Sequence, residues 1–175
     1  MSLPDRRLML RYAPALFLVA SAGLLLAAYL FQHIGGLQPC PLCVAQRYPH
    51  FAVLGLGLAA LLFGGRARWL LPALLGAIVI AYLVGAGYAA FHVGVEAGHF
   101  QSACAGPGGA ASSIDELRAR IEAAPLARCD DVAWTLLGVS MAGWNGIACV
   151  ALGAVAGYAA VIAWRDSRKP PRDRH

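Results

Sequence analysis

Charge is what this sequence has least of. Only 13% of its 175 residues are Asp, Glu, Lys or Arg, 59% are hydrophobic, and mean hydropathy is +0.63. Soluble domains carry about 25% charged residues, so this balance excludes an ordinary soluble domain. The formal net charge of +5 does not point to nucleic acid. Most of the Lys and Arg sit at the two ends and in one very short loop, and no basic stripe interleaves with aromatics. Also missing are a C-x-x-C-H haem site, an iron–sulfur spacing and a Gly-rich dinucleotide loop. Those absences remove the common protein-bound electron carriers.

Long apolar runs are what the sequence has instead. Four stretches, about 12–31, 44–64, 69–91 and 144–164, are each long enough to cross a bilayer, which takes about 20 helical residues. Only the second carries a charge, Arg47 in its first turn. Hydrocarbon offers the backbone no partner, so these stretches are expected as helices. Tyr12, Tyr48, Trp69, Trp144 and Trp164 lie near their ends, where amphipathic rings settle at the head groups. Arg6, Arg7 and Arg11 before the first run resemble a signal-peptide n-region, but the run is too long for an h-region and no small-x-small site follows. It is read as a retained helix. The expected fold is an all-α membrane protein: one domain over residues 1–175, a bundle of four transmembrane helices with two outer loops at about 32–43 and 92–143.

Charge also orients the bundle. Arg6, Arg7 and Arg11, the Arg66–Arg68 loop, and the tail with Arg165, Arg168, Lys169, Arg172 and Arg174 fall on one side of an even-spanned bundle. By the positive-inside rule that side, with both termini, is cytoplasmic. The first outer segment has no Lys or Arg; the second sets Arg118, Arg120 and Arg128 against Glu96, Asp115, Glu116, Glu122, Asp130 and Asp131. The outer loops are expected to face an oxidising compartment.

The topology sorts the five cysteines. Cys40 and Cys43 lie in the first outer loop, Cys104 and Cys129 in the second, and Cys149 inside the last span, where a lone cysteine serves as a small hydrophobe. Disulfides persist on the oxidising side of a membrane. Cys104 and Cys129 fit a structural staple as well as a redox pair. Cys40 and Cys43 fit a staple poorly, because their bridge closes a very small ring and constrains the unfolded chain little. A C-x-x-C is more often a redox centre or half of a zinc site. Zinc needs a second close pair, and 25 residues separate Cys104 from Cys129. No metal is expected.

Pro41 suits the start of a helix, which places Cys43 in or beside a first turn whose free N–H groups and dipole favour a thiolate. Arg47, four residues on, shares that face. It either snorkels to head groups or acts on the thiol and on a carbonyl oxygen brought to it. A dithiol at the bilayer boundary needs an acceptor, and a lipid-soluble quinone, ubiquinone or menaquinone, is the economical choice.

Phe31-Gln32-His33 followed by Pro39-Cys40-Pro41-Leu42-Cys43-Val44-Ala45-Gln46-Arg47 resembles the first-loop signature of the disulfide bond formation protein B family. Cys129-Asp130, Trp134, Leu137-Gly138, Ser140-Met141 and Trp144-Asn145 resemble that family's second-loop exit into its last helix. Together these motifs cover nearly the whole chain. The resemblance implies a quinone-linked thiol:disulfide oxidoreductase working in relay. A reduced periplasmic thioredoxin-fold oxidase (DsbA-like) attacks Cys104, the released Cys129 engages Cys40, and Cys43 is left as a thiolate against the quinone. It further implies that Arg47 binds or polarises the quinone and that His92 lies near it, although a histidine at a helix end is commonly just interfacial. Family members of this kind keep the periplasm oxidising through quinone.

The second outer loop is expected to serve that exchange. Residues 105–111, rich in Gly and small side chains with Pro107, read as flexible. Ser113-x-x-Glu116 reads as a capping box opening a short amphipathic helix to about Ala123, with Ile114, Leu117 and Ile121 on one face. That stripe fits a membrane surface or the bundle equally. Gly153-x-x-x-Gly157 reads as close helix packing. Competing functions are a vitamin K epoxide reductase-like quinone reductase, whose cysteine segments are arranged differently, a disulfide- or zinc-stapled scaffold without turnover, and a transporter, which leaves the outer cysteines unexplained.

Overall fold

Apolar sequence without water must satisfy its own backbone, and nearly all of this chain does so as helix. The computed structural model describes residues 3–104, 113–123 and 127–169. Its elements, in order, are α1 (Leu3–His33), α2 (Pro41–Ala45), α3 (Arg47–Phe63), α4 (Leu70–Glu96), α5 (Ile114–Ala123), β1 (Thr135–Leu136), β2 (Val139–Ser140) and α6 (Met141–Ser167). Three of these contain segments long and apolar enough to cross a membrane: Leu8–His33, Leu70–Glu96 and Met141–Ser167. The protein is a helical multi-pass membrane protein.

The bundle is built by α4 packing most extensively on α6, with α3 set against both α4 and α1. Phe17, Val53, Leu75, Ile78, Tyr82, Cys149 and Ala156 meet at its centre. Small residues permit the approach: a Cβ on Gly85 would stand 2.9 Å from Cys149 Sγ, and one on Gly153 would touch Tyr82 Cβ at 3.4 Å. Gly157, the other half of the expected packing motif, has no neighbour within 4 Å of a built Cβ. The outer faces stay apolar. Val19 (73% exposed), Leu26, Leu62, Ile80, Leu83 and Val150 point away from the core. So wide an apolar surface would be untenable in water and suits lipid.

Three features differ from expectation. The second run does not form one helix over 44–64 but α2 and then the 17-residue α3, with a break at Gln46. Pro49 explains it: proline has no N–H to give the Ala45 carbonyl and its ring crowds that carbonyl, so the helix cannot run through unperturbed. At 1.5 Å per residue α3 alone is about 26 Å long. The third run continues past Phe91 to Glu96, which makes His92 and Glu96 helical rather than part of the outer loop. Gly98 ends it with φ +74°, and His99 and Phe100 N–H groups both return to the Gly94 carbonyl. A two-stranded hairpin, unforeseen in an all-α reading, precedes α6, pairing Thr135 with Ser140 and Leu136 with Val139. Its turn has positive φ at both Leu137 and Gly138, the handedness that matches strand twist.

The basic regions meet at one end. Arg11 of α1 and Gly64–Gly65 of the α3–α4 connection line one cleft, and Arg68 Nη1 donates to the Lys169 carbonyl at 2.7 Å. The short helix α5 forms where expected, and Ser113 Oγ accepts the Glu116 N–H at 3.1 Å as its cap. Ile114 is exposed. The side chains of Leu117 and Ile121, and the 105–111 segment, lie outside the described residues.

Candidate functional site

Each outer cysteine is delivered by a local cause. Pro41 opens α2, and Cys40 stands just before it as the N-cap, its Sγ accepting the Cys43 N–H at 3.1 Å. After α4, the Phe100 ring folds back over Gly94, where any Cβ would collide with it, and stacks on Phe91 at 5.5 Å. That return carries Cys104 over the end of α4. Cys129 arrives from the other side, its N–H bound to the Cys104 carbonyl at 3.0 Å, and the two are joined as a disulfide. Cys40, Cys104 and Cys129 then pack with Val95 in one buried cluster, against which Cys43 and Leu42 rest.

Cys40 and Cys43 are free thiols with sulfurs 2.7 Å apart. A disulfide between them needs a closing movement of under one ångström. The charge in this dithiol belongs to Cys40, whose pKa is pulled down to about 4, first by the Cys43 thiol, against burial, with help from His92 and the Cys43 N–H. Cys43 is pushed up by the Cys40 sulfur, by burial and by the negative charge on Cys40, while its Arg47 neighbour pulls the other way. While Cys40 is free, the nearest N–H of the helix start goes to its sulfur and not to that of Cys43.

Arg47 is half-buried and turns toward α1. Its Nη1 donates to Gln32 Oε1 at 2.8 Å, and its guanidinium lies 4.7 Å from the Tyr29 ring centroid. No carboxylate pairs with it among the described residues. His92 is only 3% exposed and sits behind the thiol pair, its Nε2 3.6 Å from Cys40 Sγ and 3.8 Å from Glu96 Oε1. An open apolar groove of about 640 Å³ between α4 and α6 is lined by small residues including Ala89, Ala142 and Gly146, and by neither Cys43 nor Arg47.

Sequence reasoning missed a buried polar chain behind these thiols. His92 Nδ1 meets Gln46 Nε2 at 2.8 Å, Gln46 Oε1 meets Asn145 Nδ2 at 2.8 Å, and Asn145 Oδ1 meets His50 Nε2 at 2.9 Å. His50 Nδ1 continues to Ser21 Oγ at 3.3 Å, and Ser21 to the Tyr82 hydroxyl at 3.0 Å. The available signal was polar side chains within apolar runs, which membrane helices keep only where they find partners.

Cys40, Cys43 and His92 offer three ligand atoms within 4.8 Å of one another, a geometry that invites a soft cation. A metal-bound histidine, however, usually donates its other ring N–H to an oxygen acceptor. Here that nitrogen faces an amide N–H.

The matches to known proteins agree with this architecture. Residues 10–159 fit the family model described as disulfide bond formation protein DsbB. A disulfide bond formation protein B of Saccharophagus degradans is 31% identical over 177 residues, covering 91% of this chain and 94% of its own length. That of Stutzerimonas stutzeri is 31% identical over 173 residues (89% and 95%), and that of Herminiimonas arsenicoxydans 37% over 117 residues (66% of each). No solved structure matches significantly.

Proposed function

Since the chain belongs to the DsbB family of disulfide bond formation proteins, a group of membrane thiol oxidoreductases, we propose that it reoxidises a reduced DsbA-like thioredoxin-fold oxidase in the periplasm and delivers the electrons to a membrane quinone. The observation that carries this reading is the gathering of both outer cysteine pairs into one cluster. In the same reading the run 44–64, most of it α3, makes a fourth crossing, and the basic end of the bundle, with both termini, faces the cytoplasm of a bacterial inner membrane.

The relay is a series of thiolate attacks on disulfide sulfurs. A partner thiolate attacks Cys104 Sγ, breaks the Cys104–Cys129 bond and frees Cys129 as thiolate. Cys129 attacks Cys40 of an oxidised Cys40–Cys43 pair, and Cys43 leaves as thiolate. The partner's second thiolate then displaces Cys104, which attacks Cys129 and releases Cys40. The partner ends oxidised, and its two electrons rest on Cys40 and Cys43. With Cys104 and Cys129 buried, the first attack requires the outer segment to open.

The pKa directions fit this order. While Cys40 is bonded to Cys129 it can neither hydrogen-bond nor repel the Cys43 sulfur as an anion, so two causes of the Cys43 rise are gone, and burial and the opposing pull of Arg47 remain. Arg47, half-buried with only neutral partners among the described residues, suits an electron-rich ring oxygen. A quinone bound beside it supplies a two-electron acceptor. His92, enclosed behind Cys40, acts on the thiol pair from within the bundle.

The test is quinone reduction by purified protein given a reduced thioredoxin-fold partner, in the parent, Cys43→Ser and Cys104→Ser. Loss of turnover in both variants, with parent activity dependent on added quinone, supports the relay. Full activity in both, or no quinone dependence in the parent, sinks it in favour of a non-catalytic scaffold.

A further inference from the structure

A hydrogen-bond chain has a direction, and here that direction is decided by what stands at its ends. The Gln46 amide can be oriented two ways between His92 and Asn145. With Nε2 toward His92, that nitrogen donates to His92 Nδ1 at 2.8 Å and also faces the Leu42 carbonyl at 3.4 Å, while Oε1 accepts from Asn145 Nδ2. Turned over, Gln46 would set its own oxygen against the Leu42 carbonyl and force the proton of neutral His92 onto Nδ1. The bare Nε2 would then confront Cys40 Sγ at 3.6 Å and the Glu96 carboxylate at 3.8 Å. The reversed arrangement therefore sets acceptor against acceptor at the Leu42 carbonyl and at His92 Nε2, where a buried hydrogen bond left unmade is costly. Asn145 is held the matching way round, since its Oδ1 faces His50 Nε2 at 2.9 Å and lies within 4.0 Å of the Cys149 thiol.

We propose that Gln46, kept in register by Asn145, is a positioning residue that fixes His92 as its Nε2–H tautomer, so that His92 is a hydrogen-bond donor to the Cys40 sulfur and not a base or a metal ligand. The use of this donor rests on the relay proposed above. When Cys104 attacks Cys129, the bond from Cys129 to Cys40 breaks and the electron pair stays on Cys40 Sγ. The Nε2–H of His92 is the side-chain donor already aimed at that leaving thiolate. Charge-assisted hydrogen bonds of this kind are about twice as strong as neutral ones. The groups facing Cys40 are Cys43 from α2 and His92 from α4, with Glu96 reaching His92 Nε2 at 3.8 Å; the Cys104–Cys129 disulfide beside it does not titrate.

The tautomer is read directly by nitrogen NMR of the full-length protein labelled at its five histidines, with His92→Gln identifying the signal. The parent, with Cys40 and Cys43 reduced, is expected to show a bare Nδ1 and a protonated Nε2. Gln46→Glu is nearly isosteric but offers only acceptors, so Nδ1 gains a proton, with at least a tenfold change in its occupancy. Asn145→Asp touches neither His92 nor Cys40, yet an acceptor there turns the Gln46 amide over and produces the same gain at His92. A parent with Nδ1 protonated overturns the inference, as does Gln46→Glu with Nδ1 still bare. An unchanged His92 in Asn145→Asp, in protein whose other histidine signals keep their dispersion, overturns the role given to Asn145. None of these readings involves quinone or the soluble partner. Failure of the relay thus shows in the quinone assay alone, and failure of this inference in the tautomer alone.

Discussion

Replacing Gly85 by alanine should push the two most closely packed helices apart. The added Cβ meets Cys149 Sγ at 2.9 Å and Pro49 Cβ at 3.4 Å. The second is ordinary contact, but the first is nearly an ångström inside a comfortable carbon–sulfur separation, and the sulfur is fully enclosed. Overpacking of this kind costs about 1–3 kcal/mol. Cys149→Ala alone opens a small void, costing roughly 1 kcal/mol. Combined, the new methyl occupies space the sulfur leaves, so Gly85→Ala/Cys149→Ala should lie within about 1 kcal/mol of the parent, a coupling within the range seen for residues in contact. The consequence reaches the thiols, because Cys149 lies 3.8 Å from His50 Nε2 and His50 holds Asn145. Gly85→Ala should therefore lower thiol oxidation as well as thermal stability in detergent, and the second substitution should restore both. The assay is a double-mutant cycle of unfolding midpoints with turnover measured on the same samples. Additive effects, with no rescue by Cys149→Ala, would refute the packing argument.

Other expectations concern the site. In reduced protein, Cys40 should remain a thiolate down to about pH 4. Because its pKa is lowered, charge persists as pH falls and is lost only below that value. Cys43→Ala removes the largest cause while keeping the backbone N–H, so the titration should rise by about one to two units, taking a hydrogen bond to a charged group as about 1.5–3 kcal/mol. The check is thiolate absorbance as a difference against Cys40→Ser; a parent value near 9 counts against it. Arg47→Ala should raise the quinone KM about tenfold or more while moving the unfolding midpoint little, and a purely head-group arginine would leave KM unchanged. Ser140 caps α6 through the Gly143 N–H at 3.1 Å. Ser140→Ala should cost about 1 kcal/mol in unfolding, and Ser140→Asp should recover most of it.

The sequence alone determined what depends on composition and on short spacing. Apolar runs without charge must become helices in hydrocarbon, Pro41 must open a helix beside Cys43, and Ser113-x-x-Glu116 must cap one. Arg66, Arg68 and the basic ends had to share a side once the runs alternated in direction. The tertiary structure decided whatever depends on contacts between distant segments. The break at Gln46 was legible in principle from Pro49, yet whether the helix stops or bends there depends on what packs around it. That His92 belongs to a helix was settled by where Gly98 ends α4, a boundary hydropathy does not mark. Which sulfur caps α2 and which faces His92 was a matter of orientation across 52 residues of chain. Nothing in the sequence ties Gln46, Asn145 and His50 to one another. Only when α3, α4 and α6 come together do they find partners, because a hydrogen bond is fixed by distance and direction in space, and residue spacing constrains those only within one helix.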